Sequence, residues 1–555
     1  MQFSEKAKRH IAQLIICLIM SYLYIFWGNI VFKYNDDLML NMTASGAFGS
    51  GSEHLIYMNI VYGYILKLLF FLFKSINWYL WILLAGNVAG IYFISVVIGD
   101  KFKASAAILT TVITNLIIGI EFLEELQYTK TALLLCAAGF MLILRYLLDR
   151  RKAELVSAVI MLFFGTIMRF NCMLYVFPFF LIAMGYIFFC KRISLKAACI
   201  TIASVILCAT AIFAADKAVY NSDSDWKEYM EYNKLRQDII DHYELDYDEY
   251  ADEYAAMGVT EADIYMWSHW YFYDTEMFNI EKIRAVRDFL YSTKPASIRL
   301  DMQVIFDTIQ IIVNRLSTYL LPVIWLIITA GVLIFGNRGQ GILALMLSAS
   351  VCMGYWYMVC ISRIAWRVEI GSWIGAICML LVCIDNNAEY GRKENAALEY
   401  FLAGLLFILC IASNFYTYKR NGYSSLVSNA SNHEFYEEIG RRQDSFYFGD
   451  LGMTCVLFSN NIMDINGSYS GYLKNFGQLG SWEANSPTSR QAALSYGIEN
   501  PMRELFENEN VFLAGEEEHA KIIEKYLQMQ YDERITCEFN EDINGISIWK
   551  YKIAD

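Results

Sequence analysis

The sequence predicts a polytopic α-helical membrane protein that ends in a small α/β domain. Three observations predict it. Apolar residues make up 57% of the chain and charged residues only 18%, too few charges for a water-exposed surface of this size. Uncharged runs long enough to cross a bilayer recur up to about residue 413. Beyond that point the pattern changes to short β-rich stretches separated by turn residues.

The chain carries 13 cysteines, but Cys17, Cys136, Cys199, Cys208, Cys352, Cys378 and Cys410 fall inside apolar runs, where a thiol behaves as a small hydrophobe. They therefore imply no disulfide framework. A net charge of -13 and the lack of a basic, aromatic patch exclude nucleic acid as a partner.

The first apolar run, Ile11 to Val31, follows Lys6, Lys8 and Arg9 and has no small-residue cleavage site behind it. It predicts an uncleaved first span with a cytoplasmic N-terminus. Next comes Lys33-Tyr34-Asn35-Asp36-Asp37-Leu38, where two adjacent carboxylates sit at the mouth of a membrane helix. A charge there must stay in water or find a partner. The pair either caps the next helix, as Asn and Asp often do, or serves a site.

The stretch Ile56 to Phe73 decides the topology. As a span it would put the lysines of Gly99 to Lys103 and the basic turn Asp149 to Lys152 outside, against the positive-inside bias. As an interfacial helix it leaves Trp78 to Ile98 as the second span and each later loop on the side its charge prefers. The remaining spans are then Ala104 to Ile120, Thr131 to Leu148, Leu155 to Ile167, Tyr175 to Phe189, Ala197 to Ala214, Leu316 to Phe335, Ile342 to Cys360, Gly371 to Ile384 and Phe401 to Ser413. That makes about eleven crossings at ~20 residues each, in a membrane domain of residues 1–413 with outer loops at 32–77, 121–130 and 215–302.

Asp216 to Met302 is too polar to span and too aromatic for a disordered linker, which predicts an ordered, mostly helical loop with an amphipathic helix over Ile280 to Tyr291. Residues 414–555 predict an extracytoplasmic α/β domain. Its strands are Ser445 to Phe448, Thr454 to Phe458 and Asn510 to Leu513, with a helix over Glu516 to Gln530. A hairpin pairs Ile535 to Phe539 with Ile546 to Tyr551 across Asp542-Ile543-Asn544-Gly545. Cys455 and Cys537 both fall in these strands, either bridged or as free thiols.

A cytoplasmic N-terminus, one span, an outer loop opening on Asn35-Asp36-Asp37, an interfacial helix and a second acidic outer loop together resemble the integral-membrane glycosyltransferases of the GT-C superfamily, in their bacterial polyprenyl-phosphate-sugar-dependent form. The resemblance implies a multi-pass cell-membrane enzyme that moves a sugar from a polyprenyl-phosphate-linked donor to a cell-surface glycan, lipid or protein acceptor. It implies Asp36 or Asp37 as the catalytic base, since the attacking hydroxyl must lose a proton. It also implies a second acidic residue in Glu121 to Lys130, either Glu124 or Glu125.

Arg169, Arg363 and Arg367 lie at outer membrane edges, against the charge bias, and a lipid phosphate is a reason for them to be there. Arg363 and Arg367 are four residues apart and would share one face if the helix continued through them. His54 and His269 lack metal spacing, and a divalent cation, Mg or Mn, held by Asp36, Asp37 and a second-loop carboxylate stays open. The competing class is a flippase or exporter of lipid-linked glycans, for which mid-membrane charges and repeated halves would be expected.

Overall fold

A computed structural model of the chain describes residues 4–28, 30–102, 104–277, 280–293, 301–384, 403–415, 417, 431–450 and 473–554. The apolar runs fold as helices because a helix satisfies its own backbone polar groups where no water can. Helix α1 (Glu5–Trp27) starts nearly two turns earlier than its apolar run, since the Ser4 hydroxyl accepts from the Ala7 N–H. Strand β1 (Val31–Phe32), α2 (Asn35–Ser45), α3 (Ile60–Leu72), α4 (Trp78–Gly99) and α5 (Ala104–Gly119) follow. A π-turn, Ile120–Glu124, carries α5 into strand β2 (Glu125–Leu126).

The core of the bundle is α6 (Tyr128–Asp149), whose side chains are buried almost without interruption from Tyr128 to Arg145. Around it stand α7 (Lys152–Met168), α8 (Phe170–Phe189) and α9 (Leu195–Ser222). The long polar segment predicted as an outer loop forms α10 (Ser224–Ile240), α11 (Ala251–Ala256), α12 (Glu261–Ser268) and α13 (Ile280–Thr293), the last of these over the predicted amphipathic stretch. Then come α14 (Met302–Thr318), α15 (Leu320–Phe335), α16 (Arg338–Cys360), α17 (Trp366–Cys383) and α18 (Ala403–Phe415).

Among the described residues eight helices are long and apolar enough to cross a membrane, and a ninth if α14 and α15 form one bent span. The expected count of about eleven is therefore not reached on length alone. Helix α7 has 17 residues and α18 only 13, short of the ~20 that span hydrocarbon. The run predicted as one span, Leu316 to Phe335, is broken at Tyr319 and bends by 100°. Pro322 in the first turn of α15 explains the break, since its ring cannot continue an incoming helix. Helix α3, with 13 residues, is likewise too short to cross, in keeping with an interfacial placement.

One end of the bundle is tied together at Asp100. Its carboxylate pairs with Lys6 at 2.8 Å, with Arg9, with Arg145 and with Arg151 at 3.6 Å. The start of α1, the end of α4 and the α6–α7 turn thus lie at the same end. The acidic stretch after β1 lies at the other, because β1 pairs in parallel with β2, Val31 against Glu125 and Phe32 against Leu126.

The C-terminal region forms α19 (Ser431–Arg441), β3 (Phe446–Gly449), β4 (Phe476–Gln478), α20 (Pro487–Leu494), α21 (Pro501–Glu507), β5 (Val511–Ala514), α22 (Glu517–Gln530), β6 (Ile535–Ile543) and β7 (Ile546–Ile553). The sheet runs β4-β3-β5-β7-β6, parallel across its first three strands and antiparallel after them. The expected strand Thr454 to Phe458, and Cys455 with it, lies outside the described residues. Asn414 does not open this domain: it sits in α18, where its side chain accepts from the Tyr24 hydroxyl at 2.8 Å and so ties α18 to α1.

Candidate functional site

The short β1–β2 pair builds the site by bringing together the two loops that the sequence singles out. Directly after β1, Lys33 reaches the Glu125 carboxylate of β2 at 2.7 Å, and α2 then begins at Asn35. Asp36 and Asp37 stand in the first turn of α2, not at its cap, which is Tyr34. Carboxylates are favoured there by the exposed N–H groups of the helix end. Because successive residues point to different sides of a helix, the two carboxylates go separate ways.

Asp37 turns inward and is fully buried. Its Oδ1 accepts from the Tyr79 hydroxyl at 2.9 Å and from the Tyr128 backbone N–H at 2.8 Å. Burial pushes its carboxyl up to about 8, assisted by the neighbouring Asp36 charge, although the two hydrogen bonds and Arg367 pull the other way. Asp37 thereby locks α2 onto the start of α6.

Asp36 faces the opposite way and meets groups from distant parts of the chain. Its Oδ2 lies 2.7 Å from Arg367 Nη1, and its Oδ1 accepts from the Trp482 indole N–H at 3.2 Å. Arg367 is in the first turn of α17, with its guanidinium 4.7 Å from the centroid of the Tyr34 ring. The neighbouring Trp366 lies parallel to Tyr319 and donates its indole N–H to Glu121 at 3.1 Å. Lys130 completes the circuit, 2.9 Å from Glu121 and 3.8 Å from Glu125.

Behind this group, Arg315 forks onto Glu369 at 2.6 and 2.8 Å. The Tyr355 hydroxyl donates to the same carboxylate at 3.0 Å. Glu369 is fully buried two residues beyond Arg367, so the fork fixes the first turn of α17 against α14. Such a two-point contact holds orientation as well as distance.

Lys33, Tyr34, Glu121, Glu125, Lys130, Tyr319, Trp366 and Arg367 line a cavity of about 90 Å³, and Asp36 reaches it only through Arg367. Lys33, Lys130, Arg367, Glu121 and Glu125 supply its charged side, while Leu116, Ile117, Ile120, Leu320 and Leu321 supply an aliphatic one. Three cations against two carboxylates leave the lining net positive.

The expected site residues are distributed unevenly over this arrangement. Asp36, Arg367 and Glu125 come together. Glu124 does not line the cavity: the π-turn directs it toward Gly28, where a Cβ would overlap its carboxylate. Arg169 is engaged elsewhere, donating to the Tyr128 hydroxyl at 2.9 Å and to the Thr129 hydroxyl.

Arg363 and Arg367 do not share a helix face, because the chain turns at Ser362, with φ +53°, and α17 begins only at Trp366. Arg363 pairs instead with Asp241 at 2.6 Å. Asp36 and Asp37, expected to hold a divalent cation together, point to different sides of α2. Among the described residues no group of three or more His, Cys, Asp or Glu is placed to hold a metal ion.

Sequence reasoning did not assign Lys33, Tyr34, Glu121, Lys130 or Trp482 to the site. The first four stood inside the two outer loops already singled out, so their signal was position. Trp482 gave none, being 446 residues from Asp36. No family model, curated protein or solved structure matches this chain.

Proposed function

We propose that the protein is a membrane glycosyltransferase that moves a sugar from a polyprenyl-phosphate donor to a glycan, lipid or protein acceptor at the outer face of a cell membrane. One observation carries this reading: the Asp36–Arg367 pair, at 2.7 Å, adjoins a cavity that is cationic on one side and aliphatic on the other. Arg367, Lys33 and Lys130 suit the donor phosphate, and the aliphatic wall suits the first isoprene units. The basic cluster around Asp100, at the opposite end of the bundle, belongs in the cytoplasm by the positive-inside bias. The candidate site and the C-terminal domain then lie outside.

In the proposed reaction an acceptor hydroxyl attacks the anomeric carbon and gives its proton to Asp36. The bond from that carbon to the phosphate oxygen breaks, with inversion, and polyprenyl phosphate departs with one more negative charge. Arg367, Lys33 and Lys130 meet that charge as it develops, which lowers the barrier. Asp37, buried and bonded to α6, positions the turn that carries the base. The test is turnover of a short-chain polyprenyl-phosphate hexose. Asp36→Asn should lose about a hundredfold or more with the fold retained, and full activity in that variant removes the mechanism.

A further inference from the structure

A cavity of about 870 Å³ lies apart from the cavity just described, between the α10–α12 connection and the α16–α17 turn. Its volume falls within the roughly 300–1,000 Å³ common for small-ligand sites. Tyr243, Tyr247 and Tyr265 line it together with Glu244, Asp246 and Glu261. Aromatic rings offer flat apolar faces to the C–H side of a pyranose, and carboxylates accept from pairs of neighbouring hydroxyls. The same carboxylates repel an anionic ligand.

This cavity is joined to the Asp36 site through one turn. Ile361 and Ser362 form part of its wall, and the Ile361 carbonyl lies 3.1 Å from His242 Nδ1. The next residue, Arg363, pairs with Asp241 at 2.6 Å, and Arg367 follows four positions later. We infer that this cavity is a remote acceptor subsite, holding sugar units other than the one whose hydroxyl meets Asp36, and that the acceptor is an uncharged or amino-sugar oligosaccharide rather than an anionic polymer. The inference rests on the glycosyltransferase reading and adds the acceptor class to it.

The experiment titrates chitotetraose, its deacetylated form and a tetragalacturonate into the detergent-solubilised full chain by calorimetry, with no donor present. Chitotetraose and its deacetylated form should bind, and the galacturonate should not. Tyr247→Ala should weaken binding about tenfold, the size of a lost aromatic contact, and Glu261→Gln should weaken it too, with melting temperatures unchanged. No binding of either neutral or amino tetramer, equal binding of the anionic one, or unaltered binding in both variants overturns the assignment. Because the titration needs no donor, binding without sugar transfer would count against the glycosyltransferase reading alone. Transfer without binding here would count against this inference alone.

Discussion

Arg367 Nη1 stands 2.7 Å from Asp36 Oδ2, so the proposed base and the proposed phosphate ligand neutralise each other across 331 residues of chain. A donor phosphate entering the cavity would compete for that guanidinium and release the carboxylate toward an acceptor. Arg367→Lys keeps the charge but loses the planar fork, whereas Arg367→Ala also leaves Asp36 without its counter-charge. The Lys variant should bind a short polyprenyl monophosphate more weakly, and the Ala variant should lose about 1.5–3 kcal/mol of that affinity. Arg363→Ala should leave it unchanged, since Arg363 is tied to Asp241. Equal affinity in wild type and Arg367→Ala would remove Arg367 from the site.

A pH dependence of stability follows from two of the buried carboxyls, Asp37 and Glu483. Burial raises Asp37 to about 8 and Glu483, on the C-terminal domain, to about 7. Between about pH 4, where an unfolded carboxyl ionises, and those values the folded chain holds protons that the unfolded chain has released. Stability must then fall as pH rises through this window. The melting temperature should drop between pH 5 and pH 8.5, and Asp37→Asn should flatten the drop. An unchanged slope in Asp37→Asn would show that Asp37 does not titrate in this window.

Strands β3, β5, β6 and β7 and helix α22 of the C-terminal region were legible because their signals are local. The β6–β7 turn has Asn544 at φ +51° and Gly545 at φ +85°, the left-handed pair that an Asn-Gly hairpin requires. Strand β5 and helix α22 fall within one residue of their expected limits for the same reason. The Asp36–Asp37 pair stood out through the cost of placing adjacent carboxylates at a membrane edge. What stayed hidden depends on chain path: the left-handed Ser362 that separates Arg363 from Arg367, and the π-turn that sends Glu124 away while leaving Glu121 and Glu125 in the cavity. The break at Tyr319 did have a local signal in Pro322, which the length of the surrounding apolar run masked.

Topology can be checked by labelling. Lys152, at the Asp100 end of the bundle, and Glu518, in the first turn of α22, are both exposed. In a variant lacking the exposed native Cys190, Cys199, Cys208 and Cys352, Glu518→Cys should react with a membrane-impermeant thiol reagent in whole cells. Lys152→Cys should react only after permeabilisation. Labelling of Lys152→Cys from outside would reverse the orientation and place the Asp36 site in the cytoplasm.

Trp482 joins the C-terminal domain to Asp36, the proposed base, and its contacts state what that domain contributes. The indole N–H donates to Asp36 Oδ1 at 3.2 Å, the ring packs edge-on against Tyr57 with centroids 5.1 Å apart, and its backbone carbonyl accepts from the Tyr229 hydroxyl. The indole thus fixes the oxygen of Asp36 that does not face Arg367. Trp482→Phe keeps an aromatic ring but removes the donor, so Asp36 should lose orientation while the domain stays folded. The expected result is a fall of about tenfold in kcat/KM, the size of a hydrogen bond to a charged group, with an unchanged melting temperature and unchanged affinity for polyprenyl monophosphate. Trp482→His, which restores a ring N–H donor, should recover part of the loss. A purely structural role would instead lower the melting temperature in both variants with no rescue by His, and that pattern would separate the C-terminal domain from catalysis.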